Sequence, residues 1–148
     1  MKAISLWQPW SSAIAVGVKH NETRSWVTPY RGPIAIHAGR RADWNLEEFF
    51  DQMMLRGDFK QAMERANLHS FTMLPKGAVV AVADLVEIVS TEMAWAKGLP
   101  ELERLLGDYS QGRYAWRLAN VRPLREPYFA RGCQGLFDVP DAELTSRL

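Results

Sequence analysis

Cysteine is almost missing from this chain: Cys133 is the only one in 148 residues. That excludes an internal disulfide framework and a cysteine-rich zinc site. Histidine is scarce too. His20, His37 and His69 have neither HxxxH nor HxH spacing, so a histidine-held zinc has little support and no cofactor is expected. No apolar run reaches the ~18 residues of a membrane span, and MKAISLWQPW lacks the long apolar core of a signal peptide. The expectation is a soluble, cytoplasmic protein without a membrane partner. An excess of charge is also lacking, with 18 basic against 17 acidic residues.

The near-balance hides a pattern. Residues 1–41 carry six basic residues against Glu22 alone, residues 42–110 carry six against twelve acids, and residues 111–148 carry six arginines against four acids. The ends are basic and the middle is acidic. A fold that brings the ends together would have one positive face, as binding a polyanion requires. The acids can equally do no more than solvate the outer faces of central helices.

With 47% hydrophobic residues, the chain can close one core, and neither a linker nor a repeat divides it. Ala3 to Trp7 reads as a strand, and Trp10 to Val16 as a short helix that Gly17 ends. His20 to Trp26 and Pro33 to Ala38 are strand-like, separated by turn chemistry at Thr28 to Pro33. Asp43 is placed to cap a helix carrying Leu46, Phe49, Phe50, Met53 and Met54 on one stripe. Gly57 interrupts it, and a second helix is expected over Phe59 to Asn67. KGAVVAVADLVEIVS, residues 76–90, is the clearest strand, apolar enough at first for burial on both faces. A broken helical region follows from Met93 to Leu106. Three strands come last, Arg113 to Leu118, Val121 to Arg131 and Gly135 to Val139, with Pro123 and Pro127 confining the middle one to an edge or a bend. The sum is an α+β class, mainly β: a small barrel with flanking helices and a helical insertion at about residues 42–75.

GVKHNETR, residues 17–24, packs a lysine, an acid and an arginine into a short space. In a strand, Glu22 and Arg24 share one face while Thr23 points the other way, and Lys19 sits at the preceding corner. Such a group is either a surface ion pair worth ~0–1 kcal/mol or a pocket cluster whose burial tunes the lysine for proton transfer. Trp7 and Trp26 stand at strand ends beside polar residues, as stacking rings would, whereas Trp10 and Trp116 read as core. Tyr114 joins the aromatic candidates. Ser5 and Gln8 can read a base edge, His37 ends an apolar strand, and Arg131 and Gln134 stand among glycines that permit close approach. Cys133 reads as a packing residue.

Gly17, Lys19, Glu22 and Arg24 match the G-x-K-x-x-E-x-R signature of the ASCH domain family. SLWQPW, GPIAIHA, KGAVVAVADLV, GRYAW, NVRPL and ARGCQGLF resemble a subgroup of this family in the same order along the chain, so the resemblance covers nearly all of it outside residues 40–75. The resemblance implies a PUA-like β-barrel with a basic cleft that takes RNA or a modified nucleoside. It implies a hydrolase acting on N4-acetylcytidine or RNA, with a non-catalytic RNA-binding module as the alternative. Carried over residue by residue, Lys19, Glu22 and Arg24 become the catalytic candidates. Ser5, Trp7, Gln8, Trp26, His37, Tyr114, Arg131 and Gln134 become the substrate-binding ones. Amidohydrolase members of the family carry threonine where this chain has Glu22, so their hydroxyl nucleophile does not transfer. Two routes stay open: Glu22 as general base on a water with Lys19 or Arg24 stabilising the oxyanion, or the three side chains orienting a base or phosphate without chemistry.

Overall fold

A computed structural model describes residues 1–148. Its strands are β1 (Lys2–Leu6), β2 (Asn21–Arg24), β3 (Gly32–Ala38), β4 (Ala78–Ser90), β5 (Tyr114–Phe129) and β6 (Phe137–Asp138). They form one sheet in the order β2-β5-β4-β3-β1-β6. Only β1 and β3 run parallel; the other pairs are antiparallel. A parallel pair needs a crossover, supplied here by helix α1 (Trp10–Ala15) and β2. The sheet does not close into the expected barrel, because its edge strands β2 and β6 are not paired with each other. What stands is a mixed α/β fold built on an open six-stranded sheet.

Alternation along the strands divides the core. Ile4, Ile34, Ile36, Ala81, Leu85 and Trp116 pack on one face with Ile14 of α1. Ala3, Ala35, Val79, Val82 and Leu124 pack on the other with Leu144, which belongs to helix α6 (Asp141–Thr145). Val79 and Val82 could not share a face in a regular strand. A register shift between Val79 and Ala81 reverses the alternation and lets both point the same way.

Between β3 and β4 lie α2 (Trp44–Met53), α3 (Gly57–Arg65) and a short 3-10 turn at Phe71–Met73. Asp43 caps α2 by accepting the Leu46 N–H at 3.2 Å. Gly57 begins α3 and does more than break the preceding helix. Leu46, Phe50, Met53, Phe59, Met63 and Phe71 make a core of their own that reaches Ala13 of α1 and Leu106. The broken region resolves into α4 (Thr91–Lys97) and α5 (Glu101–Leu105).

One expectation fails at β5, where two predicted strands are a single long one. Asn120, at φ 49°, takes up the irregularity by entering the left-handed region that asparagine tolerates. β2 pairs only with Tyr114 to Arg117, so Pro123 and Pro127 fall where β5 has no second neighbour to receive an N–H.

Candidate functional site

The corner at Gly17 sets the site. Gly17 adopts φ 88°, and the N–H groups of Val18 and Lys19 both donate to the Ala13 carbonyl, at 3.0 and 3.1 Å. The chain therefore turns inward just after α1, and the Lys19 side chain is 1% exposed. Its Nζ donates to the Leu106 carbonyl at 2.7 Å and lies 3.6 Å from Glu22 Oε1. Burial lowers the Lys19 pKa, against the pull of the Glu22 and Glu103 carboxylates.

Strand alternation then places Glu22 and Arg24 on one side. Arg24 Nε donates to Glu22 Oε2 at 2.9 Å, and Arg24 Nη2 donates to the Ser5 carbonyl at 2.7 Å. The three signature side chains form a relay from the interior to the backbone of β1. Both Glu22 oxygens face a cation, so the carboxylate holds Arg24 in place.

A second set of bonds fixes the neighbouring wall. Glu103 is buried and accepts the N–H groups of His20 at 2.7 Å and Asn21 at 3.3 Å. Thr23 faces away from Glu22 and its hydroxyl accepts the Asp108 N–H at 3.1 Å. Arg113 donates to the Thr23 carbonyl at 3.1 Å. The segment after α5 is thereby strapped along β2.

These elements surround a cleft of about 1350 Å³. Eight of the residues singled out from the sequence line it: Ser5, Trp7, Glu22, Arg24, Trp26, His37, Arg131 and Gln134. Three candidates do not. Lys19 lies behind the lining, touching Glu22 and not the open space, because the turn at Gly17 buries it. Gln8 is wholly buried and spends its amide on Ser12 Oγ at 2.7 Å and the Pro75 carbonyl at 2.8 Å. Tyr114 packs against the sheet core.

The cleft also recruits residues that sequence reasoning missed. Arg40 and Arg113 line it, as do Trp10 and Phe49, whose rings stack at 5.2 Å. Trp10 is half-buried: it packs against the sheet core and the helical core, as the sequence pattern predicts, and also lines the cleft. Trp7 is 49% exposed with the Arg41 guanidinium 4.1 Å above its ring. Trp26 meets Trp116 edge-on at 4.8 Å. Arg24 and Arg113 have carboxylate partners in Glu22 and Asp108. Arg40 and Arg131 are exposed, and no carboxylate lies within ion-pair distance of either. Only the fold could reveal this grouping, since Arg40 and Arg131 lie far apart in sequence.

His37 is buried, with Nδ1 2.9 Å from Ser5 Oγ and Nε2 2.7 Å from the Ala130 carbonyl. Burial lowers its pKa below 6.5; the Ala130 carbonyl opposes this and the Arg40 charge adds to it. The unfolded chain therefore takes up this proton at a higher pH than the folded one. Stability should fall as pH drops from about 6.5 towards the lowered folded value, and level off below it. Thermal melts of the native protein and His37→Gln between pH 7.5 and 5 should show a shallower loss in the variant. Parallel curves would remove His37 as the cause.

The chain belongs to the ASCH domain family, whose model matches residues 4–128. Its structure is similar to the crystal structure of ASCH from Zymomonas mobilis, with a TM-score of 0.56 and 21% identity over 99% of this chain and 91% of that one. A tyrosine-to-phenylalanine variant of the Zymomonas mobilis protein matches at a TM-score of 0.56 and 20% identity, over 98% of this chain and 94% of that one. A serine-to-alanine variant matches at the same TM-score and identity, over 98% and 92%. At such identity the likeness establishes the fold. No curated protein matches the chain.

Proposed function

We propose that this ASCH domain binds single-stranded RNA or a modified nucleoside in the cleft and hydrolyses it, with either the amide of an N4-acetylcytidine-like base or a phosphodiester as the bond cut. One observation carries the reading: Arg40 and Arg131, cations without carboxylate partners, share a cleft with the rings of Trp7, Trp10 and Trp26. Flat rings give sequence-tolerant stacking, ~1–3 kcal/mol per base, and free guanidiniums hold phosphate. The protein would meet such ligands in the cytoplasm; no helix is long and apolar enough to cross a membrane.

A second reading, a binding module without turnover, draws on the state of the signature. Both oxygens of Glu22 are engaged by cations, and Lys19 does not reach the cleft. In that reading the signature positions Arg24 and performs no proton transfer. Purified protein incubated with N4-acetylcytidine and, separately, with mixed single-stranded RNA separates the two by mass spectrometry. Deacetylated or cleaved product in either arm is the expected result. Binding without product selects the module, and neither binding nor product removes both readings.

A further inference from the structure

Ser5 and His37 are register partners on the parallel strands β1 and β3, so their side chains leave the sheet together. Ser5 Oγ stands 2.9 Å from His37 Nδ1. The other ring nitrogen, Nε2, is 2.7 Å from the Ala130 carbonyl, which can only accept. In the neutral ring Nε2 therefore carries the hydrogen and Nδ1 the lone pair. The Ser5 hydroxyl must be the donor. A hydroxyl giving its proton to an imidazole, with a third group fixing that imidazole's tautomer, is the arrangement that activates a nucleophile.

The surroundings distinguish this pair from a histidine that is merely satisfied. Both residues line the cleft. The backbone beside the hydroxyl is bare: a Cβ at Gly132 would stand 3.1 Å from Ser5 Oγ and 2.8 Å from His37 Cε1, and one at Gly39 would stand 3.5 Å from Ser5 Oγ. Alanine at Gly132 would press on the pair itself. The loop 131–135 also runs along the cleft, and its N–H groups make no hydrogen bond to the rest of the chain. Free backbone donors beside a nucleophile are what a developing oxyanion needs.

We propose that Ser5 is a nucleophile and His37 its general base, for transfer of an acyl group from an ester or amide held in the cleft. Ser5 Oγ bonds to the acyl carbon as its proton passes to His37 Nδ1, and the carbonyl π bond opens onto the oxygen. The alkoxide collapses, the bond to the leaving amine or alcohol breaks, and that group takes the proton from His37. Water then attacks the acyl-serine, giving its proton to His37. Ser5 recovers that proton as the carboxylic acid leaves. The proposal rests on the cleft as ligand site for the identity of the substrate, whereas the activated serine can be tested without it.

The probe is a fluorophosphonate, which bonds phosphorus to an activated serine oxygen and expels fluoride. Peptide mass spectrometry should find the phosphonate on Ser5, none in Ser5→Ala, and labelling slowed by ~10²-fold or more in His37→Gln. If His37→Gln does not fold, Ser5→Cys provides the comparison: iodoacetamide should alkylate the introduced thiol faster than it alkylates exposed Cys133. No adduct on Ser5, an unchanged labelling rate in His37→Gln, or an introduced thiol slower than Cys133 would each overturn the proposal. Labelled Ser5 in a protein that binds neither RNA nor nucleoside keeps the dyad and removes the proposed ligand. RNA or nucleoside binding without labelling does the reverse.

Discussion

Replacing Glu22 with glutamine should cost the fold ~3–5 kcal/mol, the usual penalty for removing one partner of a buried ion pair. The reason is Lys19. Its side chain is 1% exposed, and with Glu22 neutral the ammonium keeps only the Leu106 carbonyl close by, with the Glu103 charge farther off. At ~2–4 °C per kcal/mol for a chain of this size, melting should fall by roughly 10 °C. Lys19→Met removes the charge along with its desolvation cost, leaving the Leu106 carbonyl unpaired at ~1–3 kcal/mol. The double variant should therefore be more stable than Glu22→Gln alone, a non-additivity that urea melts of the four proteins would measure. pH supplies an independent signature. Folded Lys19 releases its proton at a lower pH than the unfolded chain, so the unfolded state binds more protons in the interval up to about 10.5. Stability of Glu22→Gln should accordingly rise with pH across that interval. Additive losses and a flat pH response would mean that Lys19 is not held as a buried cation.

RNA affinity should drop roughly 7- to 50-fold between 50 and 200 mM salt, as follows from two to four phosphates each contributing about −0.7 to the logarithmic slope. Two is the number of cleft arginines with no carboxylate partner, Arg40 and Arg131. Four adds Arg24 and Arg113, whose guanidiniums already face Glu22 and Asp108 and so release fewer counterions. Stacking on Trp7, Trp10 and Trp26 is insensitive to salt and should leave a residual affinity. A ligand bound by stacking alone, such as a neutral nucleoside, should show almost no slope.

Local rules made much of this fold legible. The Asp43 cap, the stripe from Leu46 to Met53, the valine-rich β4 and the turn at Gly17 are each set by neighbours in sequence, and the structure has them in place. Long-range geometry was not legible. Whether the sheet closes depends on the pairing of β2 with β6, strands too short to announce a partner. The two predicted strands after Arg113 are one because Asn120 accommodates the bend without ending the pairing. At the site, alternation correctly placed Glu22 beside Arg24 and Thr23 away from them. It could not show that Lys19 turns inward, that Glu103 ties α5 to β2, or that Trp10 also lines the cleft. The serine–histidine contact lay between two motifs more than thirty positions apart, and only the parallel register of β1 and β3 brings them together.

Fluorescence anisotropy of a labelled single-stranded RNA, titrated across salt with the native protein and with Arg40→Gln/Arg131→Gln, is the most direct test of the cleft as an RNA site. These two side chains make no ion pair within the protein, so the substitution should leave the melting temperature unchanged. The account predicts that the double variant binds more weakly at low salt and loses about 1.4 from the logarithmic salt slope, two phosphate contacts' worth. Equal affinities and equal slopes for the two proteins would contradict it.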